Sequence, residues 1–360
     1  MRIELVLPTL VLIAAHATRA QTLDAQIDAY LKGRSGAAFS GVIMVARHGA
    51  VVFDRAYGFA DADLGIANRT DLRFGIGSLT KPLTATAALR LIERGQLHLA
   101  DPICMYLRQC PPAWRTVTIE QLLSHTSGLP DLFGELPAAS VDSTRVVIDA
   151  SIARHMADSL RARPGERYAY NNFGYFLVGY AMEVATGRPW ASILRTEVLE
   201  RAGMGDTEYD DVWRVMSRRV RGYAAVHDSL RLIPYHDHAA YAAGGLLSSA
   251  RDLLRFDVAL ERGRLLADSS RQVMFTVRRG DYALGWQMIT AFGERLRNHS
   301  GGTNGFSSWL GHFDDGTVII LLSNIEDVPA KAIGCDVAAI TFGLKPSPRD
   351  ADHVACRAER

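Results

Sequence analysis

Gly77-Ser78-Leu79-Thr80-Lys81-Pro82 opens a long apolar stretch with helical character, residues 81–95, that ends at Gly95. A serine hydroxyl is a poor nucleophile until a base takes its proton. A lysine three residues further along a helix lies on the serine's face. There an ammonium stabilises an alkoxide, and a neutral amine accepts a proton. Ser78 at the helix start also meets the positive end of the helix dipole. Pro82 suits a first turn, where no amide donor is needed. Lysine is scarce in this chain: Lys32, Lys81, Lys331 and Lys345 stand against a large excess of arginine. A Ser-x-x-Lys spacing taken alone also fits an exposed helix cap, so the flanking sequence has to decide.

Outward from that stretch, residues 39–46 and 51–58 read as strands joined by a turn at His48-Gly49-Ala50. Three more strand-like runs follow at 281–289, 305–313 and 317–323, the last two joined at Asp314-Asp315-Gly316. Helical patterns occupy 118–124, 173–186 and 251–260, and two others, 22–33 and 330–341, sit near the ends. Strands at both ends joined by hairpins favour one antiparallel sheet. The expected fold is α/β of the α+β type. Its sheet comes from residues 36–60 and 281–324, helices flank it, and a mainly helical region, 82–245, is inserted, with a cleft between the two parts.

Two further stretches carry chemistry. Tyr170 and Asn172, in Tyr168-Ala169-Tyr170-Asn171-Asn172-Phe173, follow Pro164-Gly165-Glu166. A tyrosine carries protons where neighbouring cations lower its pKa, and an amide such as Asn172 can hold a substrate carbonyl. His299-Ser300-Gly301-Gly302-Thr303-Asn304-Gly305 is glycine-rich and enters a strand, so a ligand can approach its backbone. Such a backbone offers N–H groups to an oxyanion and a strand edge to an acyl chain.

Together the three stretches resemble the penicillin-recognising serine hydrolases. The similarity is to the branch holding class C β-lactamases, D-alanyl-D-alanine carboxypeptidases, D-aminopeptidases and β-lactamase-like esterases. Leu122-Leu123-Ser124-His125-Thr126-Ser127-Gly128-Leu129-Pro130 and Ala242-Ala243-Gly244-Gly245-Leu246-Leu247 support it, and the resemblance spans residues 25–342. It implies a β-lactamase/transpeptidase-like fold and a Ser78 acyl-enzyme formed on an amide or ester, whether a D-amino-acid peptide, a β-lactam or a small ester. Catalysis falls to Ser78, Lys81 and Tyr170, with Lys81 and Tyr170 sharing the proton handling. Substrate binding falls to Asn172, His299, Gly301, Gly302 and Asn304. The N–H groups of Ser78 and Gly302 would form the oxyanion hole. His125 is expected in a structural turn beneath the site. The resemblance implies no cofactor and no metal, and a small-molecule or peptide substrate. Many β-lactamases of the group carry lysine where His299 stands. A histidine need not be charged near neutral pH, so a substrate carboxylate would be held less firmly as pH rises, and this departure argues against efficient β-lactam turnover. The alternative is a catalytically silent sensor that binds a cell-wall ligand or β-lactam on the same fold. No Gly-x-Ser-x-Gly elbow surrounds Ser78, which argues against an α/β-hydrolase.

The chain has 360 residues and a net formal charge of +1, which favours neither nucleic acid nor a charged membrane as partner. Residues 1–20 read as a secretory leader, with a basic start, an apolar run and a small residue at Ala20. The run is too short to span a bilayer. A mature domain over 21–345, a tail over 346–360 and a secreted or periplasmic location are expected. In an oxidising compartment four cysteines can pair. Nearness favours Cys104 with Cys110 and Cys335 with Cys356, among three possible connectivities. His236-Asp237-His238 is the one dense cluster of metal-ligand types, in a chain without Cys-x-x-Cys or His-Glu-x-x-His.

Overall fold

Six strands form the main sheet: β1 (Gly41–Arg47), β2 (Ala50–Tyr57), β3 (Gln287–Ala291), β4 (Glu294–Thr303), β5 (Phe306–Phe313) and β6 (Thr317–Ser323). Their order is β3-β4-β5-β6-β1-β2, and every neighbouring pair is antiparallel. The N-terminal hairpin thus joins the C-terminal strands in one sheet, as expected. The computed structural model describes residues 22–32, 39–136, 144–211, 214–227, 229–233, 240–346 and 356. Residues 1–20, the His236-Asp237-His238 cluster and the rest of the tail lie outside the described residues.

β1 and β6, GVIMVAR and TVIILLS, are almost continuously apolar because both faces of the sheet are covered. Alternate side chains therefore enter two different cores. Val42, Met44, Val318, Ile320 and Leu322 pack toward the helical region, while Ile43, Val45, Ile319 and Leu321 pack toward the terminal helices. Those helices are α1 (Leu23–Lys32) and, from the C-terminal end, Ala330–Thr341. The second presents Ile333, Val337 and Ile340 at helical spacing. Tyr30 of α1 donates to Asp336 of that helix at 2.6 Å, which ties the two ends of the chain together.

On the opposite face lie α2 (Thr80–Glu93), α3 (Ile119–Leu123), α4 (Asn172–Thr186) and α5 (Ala250–Glu261). Three of the starts and one stop have a clear local cause. Thr118 and Gln121 form a reciprocal capping box on α3. Asn171 caps α4, which Gly187 ends in the left-handed region. Ser249 caps α5. α2 is buried almost all round because α4, the short helical turn Tyr241–Gly244 and the helices Trp190–Leu194 and Asp268–Phe275 pack against it. Cys104 is bonded to Cys110, and Cys335 to Cys356. Among the described residues no helix is long and apolar enough to cross a membrane.

Two expectations are corrected. The 281–289 run is a strand only from Gln287 onward. Tyr282, Ala283, Leu284 and Trp286 form a buried irregular turn, with Gly285 at φ +81° packed against α2. The stretch Glu294–Thr303 is a full strand, the one that carries the glycine-rich motif. Its polar sequence hides this because Arg297, Asn298 and His299 are buried and paired instead of solvated.

Candidate active site

Ser78 sits on a 3-10 turn, Gly77–Leu79, that leads into α2. Gly77 has φ +49°, and a Cβ there would come within 2.6 Å of the Gly302 carbonyl oxygen. A Cβ at Gly301 would collide with the Ile76 carbonyl oxygen, which accepts a 2.8 Å hydrogen bond from the Ser308 hydroxyl. Glycines from two separate motifs therefore let the serine turn lie directly against β4. Gly302 itself has open space at its Cβ position, and Asn304 is exposed in the turn between β4 and β5.

Lys81, in the first turn of α2, is fully buried. Its Nζ lies 2.9 Å from Ser78 Oγ, 2.8 Å from Asn172 Oδ1 and 2.8 Å from the Ala243 carbonyl oxygen. An ammonium has three donors, and these three acceptors take all of them. A neutral amine fits the same contacts: it donates to the two carbonyl oxygens and accepts from the Ser78 hydroxyl. Burial pulls the Lys81 pKa well below the usual lysine range, and the Asp131 charge partly opposes this.

Tyr170 donates to Ser78 Oγ at 2.8 Å. The ring is partly exposed, but desolvation of its hydroxyl in the site raises its pKa above the ordinary tyrosine value, so it is a neutral phenol. Behind it lies His125, with a ring centroid 4.3 Å from that of Tyr170 and φ +57°. Its Nδ1 accepts from the Asn171 N–H at 3.1 Å, and its carbonyl oxygen accepts from the Ala169 N–H at 2.9 Å. His125 thus shapes the backbone leading into Tyr170. Burial, and the nearby Lys81 charge, hold it neutral.

His299 points from β4 into a pocket of about 370 Å³. The pocket walls are Tyr168, Tyr170, Tyr282, Gln287 and residues 300–302. His299 Nδ1 is 2.6 Å from the Ser300 carbonyl oxygen, which can only accept, so Nδ1 carries the proton. Nε2 then accepts from the Tyr282 hydroxyl at 2.8 Å. Burial, reinforced by the Lys81 charge, pushes its pKa down to about 3. The expectation of a histidine that changes charge near neutral pH is corrected accordingly.

Three contributors escaped the sequence reading. The Ala243 carbonyl reaches Lys81 from a short helical turn, Tyr241–Gly244. Tyr282 holds His299. Asp131, just past the His125 turn, accepts from both the backbone N–H and the Nδ2 of Asn172. Asn172 therefore has both ends of its amide engaged by the protein. Among the described residues no group of three His, Cys, Asp or Glu side chains gathers to hold a metal.

The family model described as Beta-lactamase matches residues 23–339. The chain belongs to this family. Penicillin-binding protein 4* of Bacillus subtilis is 30% identical over 314 residues, covering 80% of this chain and 69% of that protein. Esterase EstB of Burkholderia gladioli is 31% identical over 235 residues, covering 61% of this chain and 56% of that one. A penicillin binding protein from Bacillus halodurans has a structure that superposes with a TM-score of 0.76 at 25% identity, covering 90% of this chain and 99% of that one. Family membership assigns this chain an enzyme activity of the serine-hydrolase, acyl-transfer class. The relatives that match carry the names of both a penicillin-binding protein and an esterase.

Proposed function

We propose that Ser78 is the nucleophile of an acyl-enzyme, that Lys81 takes its proton and that Tyr170 returns one to the leaving group. The unbroken contact from Tyr170 through Ser78 to Lys81, at 2.8 and 2.9 Å, carries this reading. Ser78 Oγ bonds to the carbonyl carbon while its proton passes to Lys81 Nζ. The bond to the leaving amine or alcohol breaks as that group gains a proton. Water then cleaves the acyl–Ser78 ester and restores the hydroxyl, and the proton held on Lys81 passes back through Ser78 to the Tyr170 oxygen, which resets both groups. The opposite pKa directions of Lys81 and Tyr170 support base and acid roles respectively. The Ser78 and Gly302 N–H groups are assigned to the oxyanion. The leader-like start and the two disulfides support export to an oxidising compartment.

The substrate is assigned as a small ester or amide without a carboxylate beside the scissile bond. Among the described residues the side chains lining the pocket include no charged one, and His299 is neutral with both ring nitrogens occupied. The nearby cations Lys81 and Lys331 are engaged by Ser78, Asn172 and Ala243 and by Gln287 respectively. An intact-mass time course with a small ester and with a penicillin tests the reaction, with Ser78→Ala as control. A mass increase that requires Ser78 is expected; its absence with both reagents overturns the acyl-enzyme. Matched neutral and carboxylate-bearing substrates test the preference. The neutral member is expected to react faster, with a ratio that is flat between pH 5 and 8, and His299→Lys is expected to narrow it. An unchanged ratio in that variant overturns the role of the uncharged wall. Tyr170→Phe is expected to lower turnover about 10²-fold or more with an unchanged melting temperature.

A further inference from the structure

We propose that Asp131 is a positioning residue for this site, holding the Asn172 amide so that its carbonyl faces Lys81. The proposal rests on the acyl-transfer reading of Ser78. Asp131 lies over the start of α4. Its Oδ1 accepts from the Phe173 and Phe133 N–H groups at 3.0 and 3.3 Å, and its Oδ2 from the Asn172 N–H and Nδ2 at 3.2 and 3.3 Å. The two ends of an amide differ in hydrogen bonding and hardly at all in shape, so partners decide which way it points. A carboxylate only accepts. Nδ2 must therefore face Asp131, and Oδ1 must face Lys81.

The consequence appears when Lys81 is neutral. A protonated lysine selects the Asn172 carbonyl by itself. A neutral amine does not, because its lone pair would equally accept from Nδ2. An amide turned that way would occupy the lone pair that has to receive the Ser78 proton. Asp131 excludes that orientation in both protonation states and leaves the lone pair facing Ser78. Around Lys81, Tyr170 precedes α4, Tyr175 lies on it, His125 follows α3 and His299 comes from β4, and all four are held neutral. Among the described residues the Asp131 carboxylate thus remains as the charge that favours the ammonium.

Asn has the shape of Asp and keeps one oxygen to accept the Phe173 and Phe133 N–H groups, but its amide can turn a donor toward Asn172. Asp131→Asn should therefore keep the fold and lose the orientation. Acylation of a small ester is measured against pH in wild type, Asp131→Asn, Asn172→Ala and the double variant, with melting temperatures alongside. Asp131→Asn is expected to lower the limiting acylation rate about 10-fold or more, with little change in KM. The rising limb should move to lower pH, since removing a negative charge disfavours the ammonium. In the Asn172→Ala background the same substitution should leave the limiting rate unchanged. An equal loss in both backgrounds, or a loss of melting temperature without a change in rate, overturns the proposal. Asp131→Ser, a shorter side chain that still carries an accepting oxygen, serves if the first variant fails to fold. Wild type that forms no Ser78 adduct would refute the acyl-transfer reading; wild type and Asp131→Asn acylating alike would refute the role of Asp131 alone.

Discussion

Replacing Lys81 by alanine is expected to lower acylation of a small ester about 10²- to 10⁴-fold, the range over which a positioned base acts. The protein should remain folded. The substitution leaves two carbonyl oxygens, of Asn172 and Ala243, without their partner, at about 1–3 kcal/mol each if fully desolvated. It also removes the cost of burying an amine whose charged form burial disfavours. Lys81→Arg separates two roles. A guanidinium keeps its proton at any workable pH, so it can stabilise an alkoxide but cannot act as a base. Acylation near the wild-type rate in Lys81→Arg would show that charge, not proton transfer, is what Lys81 supplies.

The pH profile carries the same information. The base acts when neutral, so the rate rises as pH passes upward through the Lys81 pKa. Burial places that limb well below the range of a free lysine. The acid acts when protonated, and Tyr170 is shifted upward, so the falling limb lies above the ordinary tyrosine range. A broad plateau is expected between them, and the rising limb should vanish in Lys81→Ala. A rising limb that persists unchanged in that variant would assign it to another group.

The serine and lysine are legible in the sequence because their relation is local: three residues along one helix start fix their common face. The sheet is legible for a related reason, since unbroken apolar runs such as 41–46 and 318–322 fit few environments besides a covered strand. Other features are written across distance. Asp131 acts on a helix start about forty residues later, and the Ala243 carbonyl is a backbone group whose identity no side chain announces. β4 is hidden because its polar residues find partners inside the fold. The 281–286 segment misleads because burial makes a turn apolar without giving it a period. The type of His299 is visible in the sequence, but its charge is decided by burial and by Lys81, both of which are tertiary facts.

Replacing Asp257 by alanine is expected to destabilise the protein by about 3 kcal/mol or more. Asp257 is buried on α5, beneath β4 and β5. Its Oδ1 accepts from Arg297 at 2.9 Å, and its Oδ2 lies 2.8 Å from His312 Nδ1. Arg297 is itself buried, stacked on Phe275 with its guanidinium carbon 4.9 Å from the ring centroid. Its second carboxylate, Glu261 at 2.6 Å, is partly exposed and less able to compensate a buried charge. Burial alone would raise the Asp257 pKa, but the Arg297 charge and the His312 contact overcome it and bring it down to about 2 from 3.8. A carboxyl shifted downward by folding contributes stability above its unfolded pKa and loses it as pH falls through the folded one. That contribution is about 2 kcal/mol, complete above pH 5 and lost between about pH 4 and pH 2. The truncation costs more because it also strands Arg297 in the interior. Denaturant midpoints at pH 7 and pH 3 check both parts: the gap between wild type and Asp257→Ala should narrow at pH 3. A gap that stays constant with pH would mean that lost packing, not lost charge pairing, sets the cost. A double variant, Asp257→Leu with Arg297→Met, should recover part of the loss, because an apolar pair of similar volume needs no partner to be buried.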